Sequence, residues 1–164
     1  MVGKSKTYKL SKQVGVILRK KKLHIVVAES CTGGLLSASI TDVPGSSLYF
    51  EKGFVVYSNV AKKESLGVKE QTLRKFGAVS EETAKEMALG ALKRSHAEIS
   101  VAITGIAGPA GGTKRKPVGM VCFAFVFAIS GKRRVETITA YFKGNRQGIR
   151  EQAIEFALQR VAVL

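Results

Sequence analysis

Short β-branched runs alternate with amphipathic stretches through most of this chain, and that alternation narrows its fold more than any other feature. "HIVVAE", "EKGFVVYSN" and "EISVAITG" read as strands. From Leu10, the apolar positions Val14, Val16, Ile17 and Leu23 form a rough helical stripe ending in "RKKK", where cations suit the negative end of a helix dipole. "TGGLLSASITDV" reads as a helix with Leu35, Leu36, Ser39 and Ile40 on one face and Thr32 as its cap. "PGSS" is a turn, and "VAKKESLG" is a short helix stopped by Gly67. "SEETAKEMALGALKRSH" is a clear helix, with Glu81 and Glu82 in its first turn and a small-residue stripe of Ala84, Met87, Ala88, Ala91 and Leu92. Two long strands, "VGMVCFAFVFAIS" and "RRVETITAYFKG", are joined by the hairpin turn "SGKR", and "RQGIREQAIEFALQRVAVL" is a closing helix. Strands that alternate with helices and then pair in a hairpin predict an α/β fold: a three-layer α/β/α domain around a mixed sheet.

The 164 residues suffice for one domain with a sizeable core. The expected division is a flexible basic arm at 1–9 and a single domain over 10–164. No apolar run approaches the ~18 residues of a membrane span. "MVGKSKTYKL" lacks the apolar centre and cleavage site of a secretory signal. Two cysteines without a framework, Cys31 and Cys122, suit a reducing cytoplasm. The net charge of +15 allows nucleic acid, anionic lipid or a phosphorylated small molecule as partner, and a solvated basic face explains it equally well. The tyrosines are scattered and no helix-turn-helix or RNA-binding signature occurs, so nucleic acid is not the favoured partner.

Three glycine-bearing corners each leave a predicted strand: "ESCTGG", "TGIAGPAGGT" and "KGNR". Backbone N–H groups in such turns bind anions and oxyanions. "GPAGGTK" fails the P-loop spacing, and "GIAGPAG" is not the dinucleotide fingerprint, so no nucleotide cofactor is implied. His24 and His96 are the only histidines, and with two distant cysteines they make no metal set. Nucleophilic catalysis remains. Ser30 sits at a strand-to-helix corner beside the free N–H groups of Cys31, Thr32, Gly33 and Gly34. Lys62 or Lys63 would be its base if burial lowers an amine's pKa. Cys31, with His96, stays open as a rival nucleophile.

"VVAESCTGGLLSASIT", "GFVVYSNVAKKESLGV", "GAVSEETAKEMALGAL" and "VAITGIAGPAGGTKRKPVG" resemble, in that order, the CinA C-terminal domain family. The likeness covers about residues 10–162, and "AESCTGG", "TGIAGPxGG" and "KPVG" are specific as a set. The resemblance implies amide hydrolysis, because stand-alone members of the family include nicotinamide-nucleotide amidases. They convert nicotinamide mononucleotide to nicotinate mononucleotide and ammonia in pyridine nucleotide recycling. It places the nucleophile on Ser30, its partners on Tyr57 and Lys62, and further site residues on Thr104 and Arg146. On this reading Arg146 grips the substrate phosphate, with N–H groups of the loop from Gly105 to Gly112, Gly108 among them, and the Thr104 hydroxyl beside it. The expected protein uses no cofactor or metal, and family analogy favours a homodimer. The chain departs from the family at Val60, where an acid is usual, at Asn145, where aspartate is usual, and at the basic insert "TKRK". The competing readings are a nucleic-acid-associated competence or damage protein and a catalytically idle scaffold.

Overall fold

The computed structural model describes residues 5–163. In chain order the elements are α1 (Lys6–Lys21), β1 (Ile25–Glu29), α2 (Leu35–Thr41), a 3-10 turn (Ser46–Leu48), β2 (Phe50–Val55), α3 (Asn59–Leu66), α4 (Glu70–Phe76), α5 (Glu81–Lys93), β3 (Ile99–Gly105), β4 (Met120–Ile129), β5 (Lys132–Tyr141) and α6 (Arg146–Val161). The five strands form one sheet in the order β2-β1-β3-β4-β5. β1 runs parallel to β2 and β3, while β4 and β5 add antiparallel neighbours. The mixed α/β/α sandwich expected from the sequence is the fold observed.

The two-residue period of the strands sorts the core into two layers. Ile25, Val27, Val101, Phe123 and Phe125 face α1, α2 and α6. Val26, Ala28, Ala102, Cys122 and Ala124 face α3, α4 and α5. The first layer is aromatic: Phe123 stacks with Phe125 and meets Phe156 of α6 at 4.7 Å between ring centroids. The second is lined by small side chains, which lets α5 sit close to the sheet. Gly90 of α5 carries that closeness to α3, since a Cβ there would lie 1.9 Å from the Leu66 carbonyl oxygen. The hairpin turns as predicted, with Ser130 and Gly131 both at positive φ (53° and 73°), the pairing that matches strand twist.

Three expectations need correction. The arm expected at 1–9 is already helical from Lys6, because Ser5 Oγ caps α1 by accepting from Tyr8 N–H and Lys6 and Thr7 both bind Glu155 of α6. Residues 1–4 lie outside the described part. α4 was not foreseen, since seven residues with few apolar positions carry no periodic stripe. Thr32 does not cap α2, which begins at Leu35 after Gly34.

The topology also places the corners. β1 and β3 are parallel and end at the same sheet edge. β4 reverses direction from that edge and β5 returns to it. All three glycine corners therefore meet at one edge, where ligand sites of open α/β sheets collect. Gly90→Ala should push α3 away from α5 and lower stability by about 1–3 kcal/mol, read from urea unfolding. An unchanged midpoint would mean the helices separate without cost.

Candidate active site

Glu29 is the last residue of β1, and it is fully buried. Its carboxylate accepts from the N–H groups of Gly34, Leu36 and Ser37 and from the Ser37 hydroxyl, at 2.7–3.2 Å. The start of α2 is thus capped from the preceding strand, a role the sequence reading gave to Thr32. The chain reaches that helix through two left-handed glycines, Gly33 at φ 58° and Gly34 at φ 94°. Such angles suit residues without a Cβ.

Ser30 occupies the corner itself, 7% exposed. Its N–H donates to Ile103 O of β3 at 2.9 Å, and its carbonyl accepts from Gly33 N–H at 3.1 Å. The amides of Gly33 and Gly34 are therefore committed within the protein. Those of Cys31 and Thr32 donate to no oxygen among the described residues.

Lys62 comes to Ser30 from α3. Ser58 caps that helix by accepting from Ala61 N–H, which puts Lys62 in the opening turn. Side chains there lean back toward the helix start, and the helix start is where β2 has just ended. Lys62 Nζ lies 2.9 Å from Ser30 Oγ, 3.0 Å from Val56 O and 3.2 Å from Tyr57 O. The residue is 1% exposed. Burial pushes its amine below the ordinary 10.5, partly opposed by the nearby Cys31 thiol.

Tyr57 and Arg146 form a second group beside this pair. The Tyr57 phenol does not hydrogen-bond to Lys62 or Ser30; its oxygen accepts from Arg146 Nη2 at 2.8 Å. Arg146 Nη1 donates to Gly108 O at 2.8 Å, so the guanidinium spans two of the three corners. Asn145 caps α6 by accepting from Gly148 N–H, which an amide oxygen does as well as a carboxylate. Val60 is exposed on the first turn of α3.

Other expected site residues have local duties. Thr104 is buried and donates its hydroxyl to Ala78 O, tying β3 to the start of α5. Gly105 lets β3 pass close to β4, where a Cβ would meet the Met120 carbonyl oxygen at 2.8 Å. Cys31 points into the core, and burial raises its thiol to about 12. His96 follows α5 at the opposite sheet edge, where its N–H binds Glu51, so it cannot serve Cys31. A groove of about 580 Å³ between α4 and α5 includes neither Ser30 nor Lys62.

Arg150 was not foreseen. It lies one turn after Arg146 on α6, and its Nη2 donates to Thr32 O at 2.7 Å. The spacing of four from Arg146 was the available signal.

The fold and its corner define an α/β protein in which a buried amine is held against a serine at a strand end. The comparisons sharpen that class. Residues 7–164 match the CinA C-terminal domain, and the chain belongs to that family. It is 50% identical over 157 residues to the nicotinamide-nucleotide amidohydrolase PncC of Escherichia coli (strain K12), covering 94% of this chain and 92% of that protein. A CinA-like protein of Chlorobium phaeobacteroides (strain BS1) is 50% identical over 153 residues, which span 36% of that longer protein. The crystal structure of competence/damage inducible protein CihA from Agrobacterium tumefaciens superposes with a TM-score of 0.90 at 39% identity, covering 99% of this chain and 98% of that one. Among the described residues no helix is long and apolar enough to cross a membrane.

With its thiol raised to about 12, Cys31 should resist iodoacetamide at pH 8 in the native protein and react once unfolded, as followed by mass spectrometry. Fast native labelling of Cys31 would restore it as a nucleophile.

Proposed function

We propose that this chain hydrolyses the carboxamide of nicotinamide mononucleotide, releasing nicotinate mononucleotide and ammonia, with Ser30 as nucleophile and Lys62 as base. The observation that carries the reading is the buried Lys62 amine at 2.9 Å from Ser30 Oγ. The relatives named as nicotinamide-nucleotide amidohydrolases support the substrate.

The chemistry follows from the donors around Nζ. A neutral amine has two N–H groups and one lone pair. The carbonyls of Val56 and Tyr57 take both N–H groups, which leaves the lone pair facing the Ser30 hydroxyl. Ser30 Oγ attacks the carboxamide carbon as its proton passes to Nζ. A positioned base is worth about 10²–10⁴-fold in rate. The oxyanion takes the N–H groups of Cys31 and Thr32, which donate to no oxygen among the described residues. One such donor contributes roughly 3–4 kcal/mol. The C–N bond then breaks, Lys62 returns the proton to the departing nitrogen, and ammonia leaves an acyl ester on Ser30. Water, deprotonated by the same amine, releases the acid and restores the serine.

Arg146 binds the substrate phosphate, for which a planar guanidinium offers two parallel donors. Tyr57 acts at two points: its carbonyl holds Lys62, and its phenol holds Arg146. The glycines of the loop from Gly105 through Gly108 shape the phosphate side, with Gly108 O as the anchor of Arg146. The reading places the enzyme in the cytoplasm, without a cofactor, as a homodimer; exposed Val163 beside the C-terminal end of α6 supports a subunit contact.

Ser30→Ala should abolish ammonia release from nicotinamide mononucleotide, while Cys31→Ala largely preserves it. Lys62→Arg should be nearly inactive, because a guanidinium does not give up its proton. An active Lys62→Arg variant would remove the base assignment. The pH profile carries the sign of the burial effect. Only the neutral amine accepts a proton, so kcat/KM should rise with pH and level off below the ordinary lysine value of 10.5. A profile still climbing at 10.5 would contradict a desolvated base.

A further inference from the structure

The turn that bears the nucleophile is intrinsically loose, since two left-handed glycines follow it directly. Its flanks are secured. Ile103 O holds the Ser30 N–H, and the Glu29 carboxylate holds α2. The middle of the turn is the peptide group between Thr32 and Gly33. That plane is gripped at both ends: its N–H donates to Ser30 O, and its carbonyl accepts from Leu35 N–H at 3.1 Å and from Arg150 Nη2 at 2.7 Å.

Arg150 stands out because of what it lacks. It makes no ion pair with a carboxylate among the described residues, in contrast to Arg74, Arg134 and Arg160. Its Nε is buried without a hydrogen-bond partner. Leaving a buried donor unmatched is destabilising, and Leu35 N–H already supplies a ligand for the Thr32 carbonyl. A helix brace alone does not require an arginine here. The guanidinium also lies near enough to Cys31, the residue after the nucleophile, to favour the anionic form of its thiol against burial. Its positive charge therefore lies close to the turn that carries Ser30.

We propose that Arg150 is a positioning residue for the Ser30 reaction. Its hold on the Thr32 carbonyl keeps the Ser30–Gly33 turn in attack geometry. Arg150 and Arg146, one helical turn apart, divide the labour: Arg146 takes the substrate's anion and Arg150 serves the reacting corner. This inference rests on the amidase reading for its rate effects, and its test includes a measurement that needs no amide substrate.

The experiment compares the full-length wild type with Arg150→Met, Arg150→Gln and Arg150→Lys. Each is titrated with a fluorophosphonate, which forms a Ser30 Oγ–phosphorus bond, expels fluoride and leaves the hydroxyl proton with Lys62. The titration counts folded sites, and the rate is taken per site. Arg150→Met should phosphonylate about tenfold more slowly per site. Arg150→Gln keeps a donor without charge and should fall between Met and wild type, and Arg150→Lys should recover part of the loss. With nicotinamide mononucleotide, kcat of Arg150→Met should drop ~10–100-fold, the scale of a misplaced reacting group, with KM within about twofold. Arg146→Ala should show the opposite split. If Arg150→Met fails to fold, the Gln and Lys variants decide the same question. Wild-type rates per site in both assays would overturn the positioning role, as would a loss confined to KM. Ammonia release absent from the wild type, with slowed phosphonylation of the variants, would sink the substrate assignment and leave the role of Arg150 intact.

Discussion

The Glu29 carboxylate has to be satisfied where water does not reach, and the site is built around the way this is done. Four donors from the first turn of α2 converge on it, so the strand end and the helix start are locked together across a short glycine turn. A buried carboxylate is tolerable when several N–H groups and the positive end of a helix dipole surround it. The same arrangement withdraws those helix amides from substrate. It leaves the corner ahead of them, where the amides of Cys31 and Thr32 donate to no oxygen among the described residues.

Against that fixed corner the fold brings a second element from the other side of β1. α3 lies on the small-residue face of the sheet, close to α5 because Gly90 presents no side chain to Leu66. On α3, Lys62 is 1% exposed. The two carbonyls at the end of β2 then orient an amine that burial has made easier to deprotonate. Burial of Lys62 lowers its pKa, and the backbone of the preceding strand end orients it. Tyr57 links Lys62 to Arg146 through one residue, its main-chain carbonyl accepting from the first and its phenol from the second.

Much of this was legible in the sequence. Runs such as "HIVVAE" and the Ala-rich stripe from Ala84 to Leu92 declared their periods, and the glycine corners stood out as strand ends, while the strand order brought them to one edge. Ser30 and Lys62 were visible as types of residue, while their pairing came from the likeness to a family. What escaped were contacts made outside the local window. Thr32 looked like a cap because capping rules consider the residue just before a helix. Here the acceptor is Glu29, ahead of two glycines that delay the helix. Arg150 reaches Thr32 across 118 positions of sequence, which no periodicity encodes. The early start of α1 depends on Glu155 of α6, a partner equally remote. Tyr57 was foreseen at the site, but the direction of its phenol is set by α6.

A desolvated amine affects more than the reaction it serves. In the unfolded chain Lys62 is hydrated and retains its proton up to about the usual 10.5; in the native protein burial lowers that value. Between the two, the unfolded state carries the extra proton, so native stability grows as pH climbs through the interval and declines as the medium acidifies. Proton uptake at this buried position is thereby coupled to unfolding.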